Sequence, residues 1–176
     1  MKKARQQGNL DALCGMYAVT NAFLASGVKV KNEARLFKKC CQSIDREHWP
    51  NTLWQGTTFK EIRMMIRTCA EEVKGASRVR IDYPFRGGMK PKSDREFHER
   101  CLKLLDDENV SCVLIGLKKR ERWVVAKKVG GRLVHFDSSI PHPAARNRPA
   151  LEAELKEQYC MKQLAVFYRS ETKICP

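Results

Sequence analysis

The chain has 176 residues, 43% hydrophobic and 31% charged, with a formal net charge of +14. That length suits one domain with a real core, and the composition is that of a globular chain without low-complexity tracts. No run approaches the roughly 18 consecutive apolar residues of a membrane span, and the basic start MKKARQQGNL lacks the apolar stretch of a secretory signal, so a cytoplasmic protein with no membrane attachment is expected.

The first periodic segment is a helix over residues 14–26, with Met16, Val19, Ala22 and Phe23 on one stripe and Gly27 as its stop. A second helix is expected over 32–44, carrying Leu36, Phe37, Cys40, Cys41 and Ile44. The stretch HWPNTLWQG, with Pro50 and two tryptophans, reads as a loop. Thr58-Phe-Lys-Glu61 is a capping box that opens a third helix with Phe59, Ile62, Ile66, Cys69 and Val73 on its stripe. A strand over 78–83 and the turn-rich FRGGMKP follow. Ser93-Asp-Arg-Glu96 is a second capping box, and its helix runs through Phe97, Cys101, Leu104 and Leu105.

From there the pattern changes to strands. VSCVLIGL at 110–117 is almost continuously apolar, as a strand buried on both faces must be. Strands at 123–129 and 133–136 flank Gly130-Gly131, a hairpin signal. A helix over 149–159 and a last strand, LAVFY at 164–168, close the pattern. Helices first and an antiparallel sheet afterwards define an α+β chain.

Eight cysteines raise the question of disulfides or metal. Cys69, Cys101 and Cys112 fall on apolar faces, Cys40 and Cys41 on or beside one. No CxxC pair is present for zinc, so reduced and mostly buried thiols are expected, with no metal and no cofactor. The surplus of basic residues suits an acidic protein or nucleic acid as partner. It is spread along the chain, densest in KKRER at 118–122.

One thiol stands apart. In QQGNLDALCGMYAVTNAF, Cys14 opens a helix, where the positive end of the macrodipole favours a thiolate. Gly15 permits close backbone approach, and a side-chain amide from Gln7 can add a second donor to an oxyanion. The same pattern also suits a small apolar residue on an amphipathic helix.

This segment resembles the active-site helix of papain-like cysteine peptidases, most nearly the Josephin deubiquitinases and the C39-type bacteriocin-processing peptidases. Those families show Gln, a short gap, then Cys and a small residue, and Josephins carry an Asn soon after, as Asn21 stands here. VLIGLKKRERWVVAKKVGGRLVHFDSS is similar to their buried strand, His-Trp strand, Gly hairpin and strand ending in Asp or Asn. The helix and LAVFYRS that follow keep the Josephin order. The resemblance implies one papain-like domain over 1–176, its N-terminal helices packed on an antiparallel sheet, with a helical arm at about 30–75.

Carried across, Cys14 takes the nucleophile position and Asp137 that of the residue orienting the histidine. Gln7 takes the oxyanion position, with Gln6 and Asn9 as alternatives because the spacing departs from the family's. The larger departure is Arg122, which stands before Trp123 where the histidine belongs. Arginine keeps its proton up to a pKa above about 12, so it can hold a thiolate by charge but cannot shuttle a proton to a leaving amine. Of the four histidines, His48, His98, His135 and His142, only His135 alternates onto one strand face with Asp137. Using it requires a register other than the family's, because two strand residues span about 6.5 to 7 Å.

Two functions follow. One is a cysteine peptidase or isopeptidase acting on protein or peptide substrates, ubiquitin-like or Gly-rich tails among them. The other is a catalytically impaired pseudo-peptidase, a basic binding module for an acidic protein or nucleic acid.

Overall fold

The computed structural model describes residues 12–28, 32–73, 79–86, 90–118, 122–129, 132–136 and 159–169, the 132–136 strand by its backbone. It is an α+β structure. The elements run α1 (Cys14–Ala25), α2 (Glu33–Gln42), a 3-10 turn (Arg46–His48), α3 (Trp49–Gln55), α4 (Phe59–Val73), β1 (Ile81–Asp82), α5 (Asp94–Leu104), β2 (Val110–Leu117), β3 (Arg122–Val129), β4 (Arg132–Phe136) and β5 (Tyr159–Tyr168). The five strands form one antiparallel sheet in the order β1-β5-β2-β3-β4.

Alternation along the central strands divides the core in two. Cys112, Leu114, Trp123, Val125, Ala165 and Phe167 pack with α1, α2 and α4. Val113, Ile115, Val124, Ala126, Leu164 and Val166 pack with Phe97, Cys101 and Leu105 at α5. Helices therefore cover both faces of the sheet, which explains why VSCVLIGL carries no polar alternation.

α1 is the central helix. Nine of its twelve residues are buried, because the sheet takes one side while α2 and α4 take the other. Its small residues Gly15, Ala18 and Ala22 permit that enclosure. Ser111 Oγ and Lys127 Nζ both donate to Ala25 O, at 2.7 and 3.0 Å, at the end where carbonyls lack helical partners. A cation there also opposes the negative end of the helix dipole.

The expected capping box at α4 closes in both directions, whereas that at α5 closes only in its Ser93 half, because Glu96 reaches Lys92 N and not Ser93 N. Glu61 N donates to Thr58 Oγ1 at 3.3 Å, and Thr58 N donates to Glu61 Oε2 at 2.6 Å. At α5, Glu96 N donates to Ser93 Oγ at 3.2 Å, while Glu96 Oε2 accepts from Lys92 N at 2.6 Å. Ser93→Ala removes one acceptor and is expected to lower stability by about 1 kcal/mol. A urea melt with an unchanged slope and a lower midpoint measures it, and an unmoved midpoint shows that the cap contributes nothing.

Three expectations need correction. HWPNTLWQG is no loop, since Trp49–Gln55 is a helix with Pro50 in its first turn, where proline's missing N–H costs nothing. The strand expected over 78–83 pairs only at Ile81 and Asp82, on the sheet's edge. The helix expected to reach Tyr159 does not include it: Tyr159 begins β5 and pairs with Leu117, so β5 is twice as long as its apolar run. The remainder of that helix, residues 149–158, lies outside the described residues, as do Gly130 and Gly131. The hairpin they connect is nonetheless registered by Val129 opposite Arg132.

Candidate functional site

Cys14 is the first residue of α1 and is 4% exposed. The N-cap, Leu13, offers no side-chain acceptor, and no acidic residue occupies the first turn, so α1 itself leaves the positive end of its dipole unopposed beside this thiol. The segment joining α3 to α4 wraps this helix start. Ala12 N donates to Leu53 O at 2.9 Å. Gly56, at φ 77°, passes 3.6 Å from Ala12 O at its Cβ position. Gly15 lies directly against the Thr57 hydroxyl, where a Cβ would collide with Thr57 Oγ1 and stand 2.8 Å from Ile62 Cδ1. Gly15 is thus required by packing.

Thr57 links α1 to the hairpin. Its carbonyl accepts from Trp123 Nε1 at 2.9 Å, and the Trp123 ring stacks on Phe59 with centroids 5.7 Å apart. With Lys127 bonded at the other end of α1, the helix runs alongside β3 in the same direction. Cys14 and the Arg122-Trp123 pair therefore lie at the same end of the sheet.

Arg122 and Trp123 turn opposite ways. Trp123 pairs with Gly116 and belongs to the α1 side of the core. Arg122 pairs with Leu117, which in turn pairs with Tyr159, and those two residues pack on the α5 side. Being the first residue of its strand, Arg122 still reaches the rim of a groove of about 720 Å³ at this end of the sheet. The groove has a helical wall containing His48, Gln55 and Glu61 and a sheet wall containing Trp123, Cys160 and Gln163. Thr57 lines it too, with a buried hydroxyl that has no hydrogen-bond partner.

His48, in the stretch read from sequence as a loop, ends the 3-10 turn with its side chain exposed, and Cys160 and Gln163 carry no site signal in the sequence. His48 Nδ1 is 3.8 Å from Glu61 Oε1, the carboxylate that also caps α4. Burial pushes the Cys160 thiol above its ordinary pKa, with Lys118 opposing. Gln163 lies over the Cα of Gly116, in the place a Cβ there would need. That closeness depends on the irregular β2–β5 pairing between Ile115 and Leu117, which no local sequence pattern announces.

Of the other expected site residues, His135 sits in β4 opposite Ala126, a residue of the α5-side core. His98 is on α5, its Nδ1 3.3 Å from Tyr159 Oη. Asp137, Gln7, Gln6, Asn9 and His142 lie outside the described residues. Among the described residues no group of three or more His, Cys, Asp or Glu is placed to hold a metal, and no helix is long and apolar enough to cross a membrane. Comparison of the chain with models of known families, with curated proteins and with solved structures gave no match.

Proposed function

We propose that this chain is a papain-like thiol hydrolase of the cysteine-peptidase or isopeptidase type, with Cys14 as its nucleophile. The observation in its favour is the alignment of α1 with β3, which brings the start of the nucleophile's helix to the Arg122-Trp123 end of the sheet beside a groove. Cys14 Sγ attacks the acyl carbon of an amide, the C–N bond breaks as the amine leaves with the proton given up by the thiol, and water hydrolyses the resulting thioester to a carboxylic acid and the free thiol. Helix-terminal N–H groups, with an amide from Gln7, bear the oxyanion. Asp137 orients the group that carries the proton. Substrates are protein or peptide tails, ubiquitin-like or Gly-rich, narrow enough to reach a thiol that is 4% exposed at the start of α1 and does not itself line the groove.

A second reading is a pseudo-peptidase that binds an acidic protein or nucleic acid through its basic surface. Arg122 favours it, because a guanidinium at the histidine position leaves the departing amine without a proton donor. His135 lies on β4 opposite Ala126, four residues along β3 from Arg122.

An electrophilic probe built on a Gly-Gly tail separates the candidate thiols. Labelling is expected at Cys14, lost in Cys14→Ala and retained in Cys160→Ala. Labelling of Cys160 with Cys14 untouched overturns the assignment and makes Cys14 a core residue.

A further inference from the structure

Two other thiols, on different helices, face each other inside the core. Cys40 of α2 and Cys69 of α4 are both fully buried, and their Sγ atoms are 3.3 Å apart. Their remaining contacts are long: Cys69 Sγ lies 3.7 Å from Leu36 O, and Cys40 Sγ 3.9 Å from Thr20 Oγ1. At the surface of the same helix pair, the Glu72 carboxylate forms ion pairs with Arg35 Nε at 2.5 Å and Lys39 Nζ at 3.7 Å, linking α4 to α2. The hydrogen bond with Cys40, together with burial, holds the Cys69 thiol well above its ordinary pKa, so Cys69 rests as a neutral thiol.

We propose that Cys40 and Cys69 form an oxidative modification site, at which a peroxide closes a disulfide between α2 and α4. One sulfur attacks the peroxide, the O–O bond breaks, and a sulfenic acid and one water result. The second thiol sulfur then displaces the sulfenic oxygen. An S–S bond forms, an S–O bond breaks and a second water leaves. Two thiols and one hydrogen peroxide give one disulfide and two waters, the sulfurs losing two electrons and the peroxide oxygens gaining them. Closure brings the sulfurs from 3.3 Å to a bond of about 2.05 Å, within reach of side-chain rotation.

Access is the remaining requirement, and α2 supplies it. The helix has ten residues, of which only Leu36 and Cys40 are buried. Lifting it uncovers Leu36, Phe37, Cys40 and the side of α1 that they cover, an opening confined to one short helix, and local openings occur more often than global unfolding. Peroxide is small and uncharged enough to use them. The inference does not depend on the thiol-hydrolase assignment, since neither sulfur belongs to the groove.

The test treats the folded full chain with hydrogen peroxide, alkylates the remaining thiols and maps tryptic peptides by mass. The expected product joins CCQSIDR to TCAEEVK with the loss of two hydrogens, and it persists in Cys41→Ala, which leaves Cys40 as the only thiol in the first peptide. The oxidised chain is expected to melt about 6 °C or more above the reduced one and to return with dithiothreitol. Oxidation of Cys41 or Cys160 without the link overturns the proposal. So does a link that forms only in denaturant, or one that lowers the melting temperature, because closure would then be incompatible with the native helix packing.

Discussion

Arg122→His is expected to raise hydrolysis of a ubiquitin-like C-terminal amide about 10²-fold over the native chain, and Cys14→Ala in the same background to abolish the gain. A positioned proton shuttle contributes about 10²- to 10⁴-fold. The lower end is expected because Arg122 pairs with Leu117 on the α5 side, so an imidazole must turn around the sheet's end towards α1. Steady-state kinetics on a fluorogenic amide measure the change. Labelling of Cys14 without any gain from the histidine favours the binding module. A native chain that already turns over rapidly, and stops with His135→Ala, assigns the base to His135 and rejects the register given above.

Trp123→Ala is expected to remove about 3 to 5 kcal/mol of stability, the cost of deleting a buried aromatic side chain. Trp123 is 3% exposed, stacks on Phe59 and is the donor to Thr57 O, so its loss opens a cavity and also strips an acceptor inside the fold. Small domains hold only about 5 to 15 kcal/mol in total. Much of the population therefore unfolds at modest urea concentrations. Trp123→Phe keeps a ring against Phe59 and gives up the hydrogen bond, for a smaller loss of about 1 to 2 kcal/mol. A shift below about 1 kcal/mol for the alanine variant would show that Thr57 and Trp123 do not fasten α1 to the hairpin.

Local signals were legible in the sequence where neighbours decide the structure. Thr58 and Ser93 each cap a helix beside a glutamate three residues on, and the Thr58 box closes in both directions. The continuous apolar run at Val110–Leu117 is a strand covered on both faces, with the bounds its composition suggests. Reading failed where distant chain decides. Pro50 looked like a loop breaker, but Gly56 at φ 77° ends the α3 turn and leads into α4. Cys160 and Gln163 precede the apolar run of β5 and fall where its register against β2 shifts, between the Ile115–Leu164 and Leu117–Tyr159 pairs.

The candidate site divides in the same way. Cys14 at a helix start follows from a local pattern and is observed. The direction in which Arg122 turns does not follow, because it depends on which residue of β2 lies opposite. His48 reaches the groove through a helix that the sequence did not announce.

The enclosure of α1 has a consequence for how the chain is made. α1 is synthesised well before the groups that complete it: Ser111 and Lys127 are 86 and 102 residues beyond the carbonyl they bond. A ribosome adding about 5 to 20 residues per second needs several seconds to deliver them. Throughout that interval a helix with apolar side chains all around it has no sheet to lie on, and contacts of such high sequence separation form slowly even afterwards. The nascent segment bearing Cys14 thus leaves the exit tunnel as a hydrophobic, thiol-bearing helix. Its exposure ends only when β2 and β3 have emerged, which makes early synthesis the stage at which aggregation and stray thiol chemistry threaten this protein most.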